Sequence, residues 1–217
     1  MSLERARSTS SCRGRSWLNM YFLPAGLFIV LLAGSAFAKE DAILEGFEAG
    51  VMPPDGWTVI RTNPNQTWKI NNFPHSGTYA ADVEYDPALL DQDEILLSPP
   101  FSADSATLSF YSFGSLYWCR DTFDNCDLEV WLVRGEWDGG ATDDIYVGKA
   151  DDAWTETWAW SLSSFNLDPL LPNSPIRIAL RYTGNDGAQV ALDYIEIQYS
   201  KKFPWPMFLP AITSNGQ

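Results

Sequence analysis

Histidine, cysteine and positive charge are all scarce in this sequence. Its 217 residues hold one His and three Cys. The single imidazole, His75 in the stretch FPHSGTY, is too little for a conventional Ser–His–Asp triad with any to spare, and reads as a solvated loop residue. Neither G-x-S-x-G nor H-E-x-x-H occurs, which argues against a nucleophile elbow and a zincin helix. Lys and Arg number 14 against 28 Asp and Glu. A surface of that sign repels phosphate backbones and anionic lipid, so no nucleic acid is expected as a partner. It is compatible with cations, and outside a cell calcium is the obvious one.

The N-terminus accounts for part of what little basic charge there is. Arg5, Arg7, Arg13 and Arg15 precede an apolar run from about Tyr21 to Leu32, and Ala36-Phe37-Ala38 ends it with an A-x-A pattern. This reads as a secretory signal over 1–38, cleaved before Lys39. The apolar run is shorter than the ~20 residues of a membrane span, and no span is expected in the mature chain. The product is expected outside the cytoplasm: extracellular, on the cell surface, or in a periplasm. Removing the leader takes four Arg and Glu4, leaving a formal charge near −17. It also removes Cys12, so Cys119 and Cys126 remain. An even count in an exported chain suggests a disulfide, and two Cys with one His speak against a closed zinc site.

The mature chain lacks a convincing helical stripe and any internal repeat. It carries alternating and β-branched runs between turn residues instead. Eleven stretches qualify as strands, from AILEGFE (42–48) to AQVALDYIEIQYS (188–200). ATLSFYSFGSLYW (106–118) reads as one long strand and TETWAWSLSSF (155–165) as another. Strands at this spacing argue for an antiparallel sandwich over 39–200. Pro53-Pro54-Asp55-Gly56 reads as a turn that ends the first strand and starts Trp57 into the core. Asn185-Asp186-Gly187 gives a hairpin signal between the last two strands. The tail over 201–217 places three prolines among large apolar residues, which suits an extended, docking or sorting segment and no central strand.

Candidate binding residues are of two kinds. Trp154, Trp158 and Trp160 lie close together, and exposed Trp can stack on sugar rings or peptides, whereas buried Trp fills a core. Trp158 and Trp160 would share one strand face. Then there are carboxylates in apolar surroundings: Glu48 beside Phe47, Asp93 ahead of EILLSPPF, and Asp193 between Leu192 and Tyr194. A carboxylate in such a place is costly unless something satisfies it. Each alone fits a solvent-facing strand position; together they suggest one cation at an edge where first and last strands meet, with carbonyls or waters completing its shell. Asp193 and Glu196 also match the last two acids of an E-x-D-x-x-E glycosidase strand, but Ala191 stands at the first position, so the nucleophile is missing.

GFEAGVMPPDGWTV, QDEILLSPPF, ATLSFYSF and ALDYIEI together resemble the cleaved-adhesin or choice-of-anchor J type of MAM-like jelly roll. The resemblance covers about 42–199. Ile95 stands where that family prefers Trp, and the Cys119/Cys126 loop is extra to its pattern. It implies an all-β jelly-roll sandwich of concanavalin-like type, bacterial, exported, calcium-stabilised and non-catalytic. It maps Glu48, Asp93 and Asp193 to the cation-binding positions. The expectation is a secreted binding or adhesion module for a protein or surface ligand. A carbohydrate-binding module using exposed Trp is the alternative, and a jelly-roll glycoside hydrolase a remoter one.

Overall fold

The computed structural model describes residues 39–141 and 143–202. The expected signal segment and the tail beyond 202 lie outside the described residues. The strands are β1 (Lys39–Glu45), β2 (Thr58–Ile60), β3 (Lys69–Asn71), β4 (Ala80–Val83), β5 (Gln92–Leu97), β6 (Ser105–Phe113), β7 (Cys126–Val133), β8 (Ile145–Lys149), β9 (Ser161–Asn166), β10 (Arg177–Gly184) and β11 (Val190–Lys201). One sheet runs β3-β4-β11-β6-β9, with β1 also on β11; the other runs β2-β5-β10-β7-β8. Both are antiparallel and pack as a β-sandwich.

Alternation places the core. Along β6, Ala106, Leu108, Phe110 and Ser112 are buried while Thr107, Ser109 and Tyr111 are not. The three apolar ones join Leu128, Val130, Ile178, Leu180 and Tyr182 from the facing sheet in one apolar cluster. Trp57 belongs to that cluster too, as its place after the Pro-Pro-Asp-Gly turn implies. A second, smaller cluster lies on the other side of the five-stranded sheet, where Ile95, Leu97, Val133 and Ala179 are covered by Trp131 and Trp137.

Four local expectations change. β1 ends at Glu45, because Phe47 takes a left-handed φ of 60° and turns the chain. β6 ends at Phe113, and Tyr117–Asp121 form a short helical turn that leads into the disulfide loop. β9 begins only at Ser161, since Trp158 has φ of 60° and sits in a turn. Trp158 and Trp160 therefore do not share a strand. Finally, Asn185-Asp186-Gly187 does not close a hairpin: β10 belongs to one sheet and β11 to the other. The chain does bend there, with Asp186 at φ of 54°, but the bend carries it across the sandwich. The buried Tyr182 hydroxyl donates to Ala188 O at 3.0 Å and anchors that crossing.

Candidate functional site

The first and last strands do pair, with Glu45 opposite Ile195. That register brings Glu48, just past β1, and Asp193 to the same loop, residues 75–79. Glu48 Oε1 accepts main-chain N–H bonds from Thr78 (2.9 Å) and Tyr79 (3.2 Å). Asp193 is fully buried; its Oδ2 accepts from Ser76 N at 2.8 Å and its Oδ1 from Tyr194 N at 2.7 Å. The N–H donors of the loop hold the Glu48 carboxyl below its ordinary pKa, while burial pushes that of Asp193 up. A bulge between Asp193 and Glu196, with Tyr194 at φ of 50°, seats Asp193 beneath the loop. A Cβ on Gly77 would stand 2.2 Å from Glu48 Oε1, so only glycine lets the loop come this close.

Asp93 is elsewhere. It lies on β5 of the other sheet and forms a two-pronged pair with Arg181, Nε to Oδ1 at 2.6 Å and Nη2 to Oδ2 at 2.9 Å. Arg181 also reaches Glu129 at 3.1 Å. The three carboxylates singled out in the sequence are thus two together and one apart, because Asp93 answers a guanidinium across β5 and β10. What the 75–79 loop turns toward Glu48 and Asp193 is main-chain N–H, which satisfies a carboxylate by itself, whereas calcium takes oxygen ligands. Among the described residues no group of three or more His, Cys, Asp or Glu converges on a metal position.

The three tryptophans also separate. Trp154 is 2% exposed, its ring fills the space above Gly114, and its Nε1 donates to Ser112 Oγ at 2.8 Å. Trp160 is half-buried between Phe73, His75 and Phe113. His75, exposed as expected, stacks on Tyr111 with ring centres 3.5 Å apart. Trp158 is 46% exposed. Its main-chain N–H donates to Gly114 O at 2.8 Å and its ring leans on Phe113 at 5.5 Å, which fixes where the indole stands.

Trp158 is one wall of a groove of about 540 Å³. Tyr85, from the turn after β4, and Trp118, from the disulfide loop, supply two more aromatic walls. Between them lie the amides of Gln66 and Gln189 and the carboxylates of Glu84 and Asp186. The reading from sequence joined neither Tyr85 nor Trp118 to Trp158. The usable signal for Trp118 was its place beside Cys119, at the mouth of the loop that a disulfide would close.

That disulfide is present, joining Cys119 to Cys126. Trp118 stacks on Phe123 in the same loop at 4.7 Å. Arg120 crosses to the segment that carries Trp158, its Nη1 donating to Asp151 O at 3.0 Å and Trp154 O at 3.2 Å. Asn125 ties the loop to the β10–β11 crossing, donating from Nδ2 to Asp186 O at 3.1 Å and accepting at its carbonyl from Asn185 N at 3.0 Å. The groove's walls come from separate loops, but those loops are bonded to one another. Asp151 lies beneath them: it is buried, its Oδ1 accepts from Leu128 N at 3.0 Å, its Oδ2 has no partner among the described residues, and burial raises its pKa to about 6.

No protein-family model and no curated protein matches the chain. Solved structures do. The K2 cleaved adhesin domain of Lys-gingipain superposes with a TM-score of 0.53 at 15% identity, over 72% of this chain and 99% of that one. The chain has the cleaved-adhesin fold. The K3 domain of Lys-gingipain from Porphyromonas gingivalis follows with a TM-score of 0.50 at 15% identity, over 71% of this chain and 97% of that one. The CBM22-1-CBM22-2 tandem domain of Xyn10C from Paenibacillus barcinonensis gives 0.50 at 15% identity, over 80% of this chain and half of that one. The cleaved-adhesin fold agrees with the resemblance read from the sequence, and at such identities the likeness extends to the fold alone.

Proposed function

We propose that this protein is an exported, non-catalytic binding module whose ligand is a glycan, held in the groove walled by Tyr85, Trp118 and Trp158. The observation that carries this reading is the grouping itself. Three aromatic side chains from separate loops line one groove, with two amides and two carboxylates between them. Sugar rings stack on aromatic faces and present hydroxyls at their edges, from which carboxylates accept and with which amides both donate and accept. A coplanar row of exposed Trp on one sheet face, the arrangement expected of a sugar site, is not what the structure offers; in its place Trp158 at 46% and Tyr85 at 42% exposure stand with the half-buried Trp118.

The test is titration calorimetry of the purified protein against a panel of soluble oligosaccharides, repeated with Trp158→Ala. Binding to at least one glycan, weakened tenfold or more in the variant, is the expected outcome, in line with about 1–3 kcal/mol for an aromatic stacking contact. A second reading keeps a protein ligand, because Leu89, Leu90, Tyr117 and Phe123 are each 45% exposed or more. Exposed aliphatic side chains favour a protein partner over a sugar.

The proposal includes a calcium ion that Glu48 and Asp193 would hold, with further oxygen ligands completing its shell. Its chemistry would be structural: a charge that balances a buried carboxylate and fixes the loop to β11. A ligand bound only by the folded state raises the melting temperature. Melting in millimolar calcium and again in excess chelator should therefore differ by several degrees, and the difference should vanish in Glu48→Ala. Equal melting temperatures would remove the ion.

A further inference from the structure

Resting on the glycan reading, the charge around the groove narrows the ligand. Among the described residues no Lys or Arg lines it. The basic groups nearest in the fold are already engaged. Lys69 pairs with Glu84 at 2.7 Å, and Arg120 is turned onto the carbonyls of Asp151 and Trp154 and the carboxylate of Asp121. The acids left over are exposed. Asp186 lines the groove, Asp124 adjoins Asn125 where the disulfide loop bonds to Asp186 O, and Glu156 precedes Trp158 by two residues. None of the three forms an ion pair with a described residue. Elsewhere acids of the same fold are met, as Asp93 and Glu129 are by Arg181 and Asp127 is by Lys149.

Aromatic faces and one unneutralised carboxylate lining a cavity, with two more exposed acids on the adjoining loops, are complementary to a cation. An ammonium is drawn to the negative face of an indole or phenol ring and to the carboxylates beyond it. An anionic sugar, whether a uronate, a sulfated or a sialylated chain, would meet carboxylates with no compensating cation and lose. The acidic surface as a whole adds attraction at long range.

We infer that the groove selects a cationic amino-sugar chain, one built of glucosamine-type residues with free, protonated amines. The sugar rings stack on Trp158, Trp118 and Tyr85. The amines face Asp186 and the acids of the adjoining loops.

The experiment compares three tetrasaccharides by calorimetry with the purified protein: glucosamine, N-acetylglucosamine and an uncharged glucose chain. It is run at a pH that keeps the amines protonated, at low and at high salt, and a lysine tetramer is titrated beside them. The expected result is a Kd for the glucosamine chain about tenfold below the other two at low salt, with the advantage largely lost at high salt. Asp186→Asn, which keeps a residue type that tolerates the left-handed φ there, should reduce the advantage of the glucosamine chain over the other two severalfold. Equal or tighter binding of the acetylated or glucose chain would overturn the inference and leave the glycan reading standing. A lysine tetramer that binds as tightly as the glucosamine chain would overturn it in favour of a peptide ligand. Failure of every sugar would overturn both.

Discussion

Where β1 meets β11, a buried acid and an exposed one are both answered from the main chain; around the groove, apolar groups are left facing water. Glu48 and Asp193 together accept N–H bonds from Ser76, Thr78, Tyr79 and Tyr194. Tyr85 and Trp158 keep 42% and 46% of their surface exposed, although a sandwich of this size has core enough to hide Trp154 at 2%. Burial is the default for a large ring and satisfaction the default for a buried acid. The first region follows these defaults and reads as structure. The second departs from them in a concave place, and so reads as a binding site.

The comparison can be tested most strongly at two tryptophans four residues apart. Trp154→Ala should destabilise by about 3–5 kcal/mol, since it empties buried space and strands Ser112 Oγ. Trp158→Ala should shift the urea midpoint little, with a change within about 1 kcal/mol, and act on ligand affinity instead. If both behave alike in denaturation, the division between core and groove fails.

The next effect depends on pH. Asp151 has a folded-state pKa of about 6 against the usual 3.8, raised by burial. The unfolded chain then ionises first, so stability falls as pH rises from near 3.8 and the loss is complete above about 6. Asp151→Asn should thus gain on wild type between pH 4 and pH 8, by on the order of 3 kcal/mol. Chemical denaturation at the two pH values checks the sign, and a gain at the lower pH alone would contradict it.

Opening the disulfide by Cys119→Ala with Cys126→Ala should cost about 2–3 kcal/mol. Because Trp118 rides on that loop, it should also weaken ligand binding, whereas a purely structural link would leave affinity intact. A further stability effect, no larger than that of the disulfide, belongs to the first region. Asp193→Asn replaces an acceptor by a donor facing Ser76 N–H or Tyr194 N–H and should cost about 1–3 kcal/mol in the absence of calcium. Thermal melts of the variant with and without calcium would separate this hydrogen-bond loss from any loss of the ion.

Strand content, the β-sandwich and the pairing of first with last strand were legible because period-2 alternation and turn residues act locally and recur along the chain. The position of Glu48 near Asp193 followed from that pairing. Three things were not legible. Asp93 needed its partner, Arg181, which is far away in sequence and adjacent only through β5–β10 register. The turn at Asn185-Asp186-Gly187 has the same local chemistry whether the chain returns in its own sheet or crosses to the other; the core positions of Tyr182 and Val190 decide it, not the turn. Trp154 and Trp158 are chemically alike, and only the close approach of Gly114 to one ring makes it the buried one. Tyr85 and Trp118 join Trp158 through loop-to-loop hydrogen bonds that no spacing encodes.

The most direct measurement is a two-dimensional NMR titration of the indole N–H signals with the glucosamine tetramer. The account predicts that Trp118 and Trp158 shift together in a saturable way while Trp154, bonded to Ser112, stays fixed. Shifts confined to Trp131 and Trp137 on the other sheet, or movement of no indole by any sugar, would contradict it.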